Sequence, residues 1–152
     1  MREILFRAYQ KNFKRMLPVV SIEYHNSKIE VVTVDNRGVD GKYDVIPHYS
    51  TYIAGDKEFP LDSLVLMQYT GLKDKNGVKI FEGDILKVES VDIDCNTANY
   101  FGGEVLFLQD IGLFALDLGY DYLSFNTMKE ATGYIYSYEV IGNIHDNSNI
   151  IK

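Results

Sequence analysis

Residues 64–81 read LVLMQYTGLKDKNGVKIF. An apolar run stops at Gly71, a polar stretch carries Asn76-Gly77, and apolar character resumes from Val78 to Phe81. Asn-Gly is the strongest two-residue hairpin signal, because both central positions of a type I′ turn need positive φ. The stretch therefore predicts a tight β-hairpin centred on Asn76-Gly77, with Gly71 letting the chain turn out of the preceding strand. Glu82-Gly83-Asp84 supplies a second turn, and Ile85 to Glu89 restarts a strand.

Outward from this hairpin, short extended segments dominate. Glu3 to Tyr9 alternates Ile4, Phe6 and Ala8 with Leu5, Arg7 and Tyr9, the period of a half-buried strand. Val19 to Tyr24 and Ile29 to Asp35 are rich in β-branched residues and flank the turn-prone His25-Asn26-Ser27-Lys28, so they are expected to pair as antiparallel neighbours. Residues 36–62, punctuated by Asn36, Gly38, Gly41, Pro47, Gly55 and Pro60, read as an irregular connector. Further strands are expected at Gly103 to Leu108, Leu113 to Leu118 and Tyr134 to Ile144. Asn126 to Gly133 reads as one or two helical turns with Asn126 as N-cap and Gly133 just past the end. The expectation is a mainly β, β-rich α+β protein. An N-terminal antiparallel sheet and connector fill residues 1–60, and a small SH3-like barrel-type region fills 61–152, the two forming one compact unit.

A chain of 152 residues is large enough to bury about two thirds of its unfolded surface without a disulfide or metal staple. The only cysteine, Cys95, excludes an intramolecular disulfide and lies among Asp92, Asp94 and Asn96, which is not the electropositive setting of a reactive thiol. No long apolar run or cleavable leader is evident, so a cytoplasmic protein without a membrane partner is expected. The net charge of −7 is unevenly placed. Residues 1–20 hold five bases, Arg2, Arg7, Lys11, Lys14 and Arg15, against the single acid Glu3. From Val88 to Asp146, Lys129 is the one base facing ten acids. Phosphate binding depends on Lys and Arg displacing counterions, so most of this surface disfavours nucleic acid, and only the basic N-terminal segment is a candidate patch for it.

Three groups of motifs resemble one known family in order along the chain. They are Met1-Arg2-Glu3-Ile4-Leu5-Phe6-Arg7-Ala8-Tyr9, then Leu66 to Gly77 followed by Ile80-Phe81-Glu82-Gly83-Asp84-Ile85, and finally Glu139 to Asn147. Together they resemble the YopX family, found largely in phages and prophages of bacteria. The family often has tryptophan where Tyr9 stands, and this chain has none. The resemblance implies a β-rich fold and a phage or prophage origin in a bacterial host, and it brings no catalytic residue. The shared residues Gly71, Asn76, Gly77, Gly83 and Asp84 read as turn formers.

The constellations that carry chemistry fail on spacing. Gly71 and Gly77 have five residues between them, with Val78 following, which is not a phosphate-cradling loop. Asp92-x-Asp94-x-Asn96 opens like a calcium loop, but Thr97 stands where the sharp turn wants glycine and Gly103 where a bidentate glutamate is needed, so a solvated acidic loop is expected. His25, His48 and His145 are too scattered for a zinc site. No catalytic residue, metal or cofactor is expected. The compositional oddity is aromatic: 12 Tyr and 8 Phe. Tyr134, Tyr136 and Tyr138 share one face of a strand, either packing a core or offering an interface. The functional expectation is a non-enzymatic phage or prophage accessory protein acting through protein contacts, as a homo-oligomer or with a phage or host protein. A nucleic-acid module using the basic segment is the alternative.

Overall fold

The structure is a computed structural model that describes residues 3–34, 51–54 and 57–146. Among these residues twelve strands and one short helix follow in the order β1 (Phe6–Gln10), β2 (Arg15–His25), β3 (Lys28–Val34), β4 (Thr51–Ala54), β5 (Lys57–Pro60), a 3₁₀ turn (Leu61–Ser63), β6 (Leu64–Lys73), β7 (Lys79–Phe81), β8 (Asp84–Asp92), β9 (Ala98–Leu108), β10 (Leu113–Asp117), β11 (Tyr122–Ser124), α1 (Phe125–Glu130) and β12 (Tyr134–Asn143). The protein is mainly β. Its chain divides into two units, residues 4–68 and residues 69–152 with 1–3, and the boundary falls inside β6.

In the first unit the strand order is β5-β4-β3-β2-β1-β6. Every pair is antiparallel except β3 with β4, which run parallel. That pair, and the pairing of β4 with β5, place strands inside the stretch expected to be irregular connector. Strands of four residues punctuated by glycine and proline leave little periodicity to read, and partner strands define them. Asn26 and Ser27 both take positive φ, 47° and 66°, and join β2 to β3 as a two-residue turn. Ala8, Leu17, Val32, Val34 and Leu64 form the core, flanked by Val19, Ile22, Ile29, Leu61 and Leu66.

In the second unit a five-stranded antiparallel sheet has the order β11-β10-β9-β8-β12. Four strands follow one another as a meander, and β12 returns to pair with β8. Among the described residues hydrogen bonding leaves β11 and β12 as edges, so the region expected as a small barrel is organised as this five-stranded sheet with α1 and the β6–β7 hairpin. On β8 the period-2 pattern is direct: Leu86 and Val88 are buried, while Lys87 is exposed and Glu89 partly so. They join Ile80, Val105, Leu116, Phe125 and Met128 in the core. Phe125 and Met128, three residues apart, form one face of α1, which is how a six-residue helix anchors itself. Its N-cap is Ser124 rather than Asn126: the Ser124 hydroxyl accepts from Thr127 N–H at 3.0 Å. The helix thus starts two residues earlier than expected and takes in the buried Phe125.

The three turns expected at the family motifs fare differently. Gly71 lies within β6 at φ 90°, where the pairing slips between Tyr69–Phe81 and Lys73–Lys79. The strand bulges there instead of ending. At Asn76-Gly77 only Gly77 has positive φ, 83°. Gly77 N–H donates to Asp74 C=O at 3.0 Å and Asp74 N–H to Val78 C=O at 2.8 Å, giving a three-residue loop with a glycine bulge in place of a type I′ turn. The cause is Asp74, whose Oδ1 accepts from Asn76 N–H at 2.8 Å and Val78 N–H at 2.9 Å and folds the loop around itself. The Glu82-Gly83 turn stands as expected: Asp84 Oδ2 accepts from Phe81 N–H at 2.8 Å across it.

Candidate functional site: the edge of strand β12

Among the described residues, strand β12 pairs with β8 on one side only. In an antiparallel strand the backbone groups of alternate residues point to opposite sides. Two observations fix which residues of β12 point outward. Lys75 N–H donates to Tyr138 C=O at 2.9 Å, and Val140 N–H donates to Asp74 Oδ2 at 3.1 Å. Register is unbroken from Tyr134 to Val140, so the backbone groups of Tyr134 and Tyr136 face the same outward side. Among the described residues these have no backbone partner. The second half of the edge is thus covered by the Asp74–Val78 loop, and the first half is bare among the described residues.

Native edges are blunted by charge, proline or cover. Residues 131–138, ATGYIYSY, hold neither charge nor proline. Tyr134 is 42% and Ile135 61% exposed. The three tyrosines singled out in the sequence stand on this strand, and the structure divides them. Tyr136 and Tyr138 are half-buried against the core, and the Tyr138 ring meets Phe125 edge-on at 5.5 Å. Tyr134 stays exposed with its ring 6.3 Å from that of Tyr136. Burial, and secondarily the neighbouring Tyr136, raises the Tyr138 phenol above its ordinary value. A groove of about 470 Å³ runs beside the strand, lined by Leu72, Phe125, Met128, Tyr134, Tyr136 and Tyr138, with Lys129 at its rim. A second hollow of about 210 Å³ shares Leu72, Phe125 and Asn126 with it. Leu72, Phe125 and Met128 carried no such signal in the sequence, since β6 and α1 reach the groove only through the fold.

The ends of the bare edge differ electrically. At the covered end Lys75 and Glu139 pair at 2.7 Å. At the other end Tyr134 lies opposite Asp92, which begins an acidic loop. Asp92 Oδ1 accepts from Asp94 N–H at 2.9 Å and Cys95 N–H at 3.2 Å. Those bonds, Cys95 first, hold its carboxyl below the ordinary value. Asp92 thereby shapes the loop that resembled a calcium motif, and no cluster of three metal-ligating side chains occurs among the described residues. Of the histidines, His25 ends β2 and His145 follows β12, while His48 lies outside the described residues.

The basic segment belongs to the first unit, apart from Arg2, which lies outside the described residues. Lys11 and Lys14 are exposed on the β1–β2 turn, and Lys11 Nζ donates to Asp62 C=O at 2.8 Å. Arg15 Nε donates to Gln10 Oε1 at 3.2 Å with its guanidinium 5.5 Å above the Phe13 ring. Arg7 is half-buried and directs a guanidinium nitrogen to Met67 Sδ at 3.7 Å.

A family model described as YopX protein matches residues 5–152 of this sequence. The chain belongs to the YopX family. A solved structure, the crystal structure of protein EF1440 from Enterococcus faecalis, resembles this YopX chain with a TM-score of 0.58 and 26% identity, covering 100% of both chains. The search of curated proteins found no match. The family motifs fall on the bulge at Gly71, the loop at Asn76-Gly77 and the turn at Gly83-Asp84, so in this YopX protein they form the elements that cover half of the β12 edge and feed β8. Among the described residues no helix is long and apolar enough to cross a membrane.

Proposed function

We propose that this YopX protein is a non-enzymatic accessory factor of a phage or prophage, working in the bacterial cytoplasm through protein contacts and self-assembly, with β12 as the contact strand. The observation that carries this reading is the uncharged aromatic stretch of β12, bare along its outward edge beside an apolar groove. Such an edge is a template for another strand, and aromatic side chains that join apolar area to a polar tip are enriched where proteins meet. Family membership supports the phage setting.

The nucleic-acid alternative has less support. Arg7 and Arg15 contact Met67 and Gln10 within their own sheet, which leaves Lys11 and Lys14 as the exposed bases of the described segment.

Analytical ultracentrifugation over a wide concentration range, combined with affinity capture from phage-induced cells using wild-type and Ile135→Asp chains, tests the proposal. Concentration-dependent assembly or a captured protein, either one lost in the variant, is the expected result. A strict monomer that captures nothing sensitive to Ile135→Asp would overturn it.

A further inference from the structure

The bare half of the β12 edge specifies what can occupy it. Its outward groups belong to Tyr134 and Tyr136, and the edge closes at Tyr138, whose C=O already accepts from Lys75. An incoming strand therefore has room for only a short ladder, and its alternate side chains reach the groove over Phe125 and Met128. The electrostatic surroundings are acidic toward the Tyr134 end. Lys129 is the only base between Val88 and Asp146, against ten acids. Asp92 and Asp94 sit at the Tyr134 end, while at the far end Lys75 pairs with Glu139 and Lys87 of β8 lies across from it, so the acidic excess belongs to the Tyr134 end. A second copy carries the same overall acidic excess, net charge −7, whereas a cationic segment complements the Asp92 end of the edge.

We infer that the Tyr134–Tyr138 edge accepts, as an added strand of its sheet, an extended segment of another protein with alternating apolar residues and flanking lysine or arginine. This rests on the protein-contact arm of the reading above, not on its self-assembly arm, and narrows that arm to one partner chemistry. Apolar side chains at alternate positions fill the groove, backbone hydrogen bonds engage Tyr134 and Tyr136, and the cation lies by Asp92 and Asp94.

The test titrates the ¹⁵N-labelled full chain with the synthetic peptide Lys-Lys-Val-Thr-Val-Thr-Val-Lys-Lys, and with a peptide of the same core flanked by glutamates. The lysine peptide is expected to shift the amides of 134–138, to slow exchange of the Tyr134 and Tyr136 N–H groups, and to bind about tenfold more tightly than the glutamate peptide, a preference that fades with salt. Tyr134→Pro removes an outward donor at the first residue of the strand, where proline spares the ladder to β8, and should abolish the shifts. Lys129→Glu deletes the one base at the groove and should tighten the lysine peptide about threefold, a gain that no folding defect can imitate. Equal binding of both peptides, or no shift on β12, overturns the inference and leaves the protein-contact reading standing. So does protection of Tyr134 and Tyr136 in the free protein that vanishes on dilution, because the occupant is then a second copy.

Discussion

Replacing Asp74 by alanine should be among the most damaging single changes in the second unit. The carboxylate is buried and accepts three backbone N–H groups, from Asn76 at 2.8 Å, Val78 at 2.9 Å and Val140 at 3.1 Å. Burial opposes its ionisation, yet the bonds from Val140, Val78 and Asn76 prevail and hold its pKa below the ordinary value. A hydrogen bond to a charged group contributes about 1.5–3 kcal/mol, and the three are not additive because water reaches part of the vacated loop. A loss of about 2–4 kcal/mol is therefore expected for Asp74→Ala, and roughly half of that for Asp74→Asn, which keeps one oxygen for Asn76 and Val78 but turns an amide donor toward Val140. Urea unfolding at neutral pH followed by circular dichroism gives the difference, and hydrogen exchange should show the Val140 and Val78 amides losing protection first. Since the native pKa is depressed, this stabilisation is complete above the unfolded value and is lost as pH falls through the native one. The gap between wild type and Asp74→Ala should accordingly narrow below about pH 4. A cost under about 0.5 kcal/mol with Val140 still protected would show that the loop is held by its backbone alone and refute the reasoning.

Two further changes probe the sheet beneath the edge. Gly103→Ala on β9 places a Cβ 2.5 Å from the backbone oxygen of Asp117, which cannot move without breaking the β9–β10 pairing, so a loss of about 1–3 kcal/mol in urea unfolding is expected, and wild-type stability would contradict the close approach. Glu104 lies directly across from Asp117, and burial followed by that neighbouring charge raises its pKa. Because the raised pKa favours the protonated form in the fold, ionisation costs stability as pH rises through it. Glu104→Gln should thus stabilise by about 0.2–1 kcal/mol at pH 7, with the gain shrinking toward pH 4, and a pH-independent effect would rule out the charge as its cause.

How far these features could be read in the sequence depends on how local their causes are. The alternation of Tyr134, Tyr136 and Tyr138 is local, and it placed the three on one strand. The hairpin at Asn76-Gly77 was legible as a hairpin but not as a turn type, because the side chain of Asp74 bonds two amides ahead of it and overrides the intrinsic preference of Asn-Gly. Asn26-Ser27, a weaker signal, takes the two-residue form with both φ positive. The strands that escaped notice, β4, β5, β11 and the first half of β9, are short or rich in polar residues and glycine. They are extended because neighbours pair with them, as when Ala98 to Gly103 lies along Leu86 to Val91.

The bare edge is the least local feature of all. Whether a residue of β12 presents its backbone to the outside follows from register with β8, and whether that outside is covered follows from Asp74, 66 residues away from Val140. The same carboxylate folds the hairpin with one oxygen and blocks the strand with the other, so closure of the loop and cover of the edge are one event. This coupling explains why the cover stops at Tyr138: the loop reaches only as far as its three residues allow. Beyond it, the strand meets the world with tyrosine and isoleucine, where an edge kept solely for stability would carry lysine or proline.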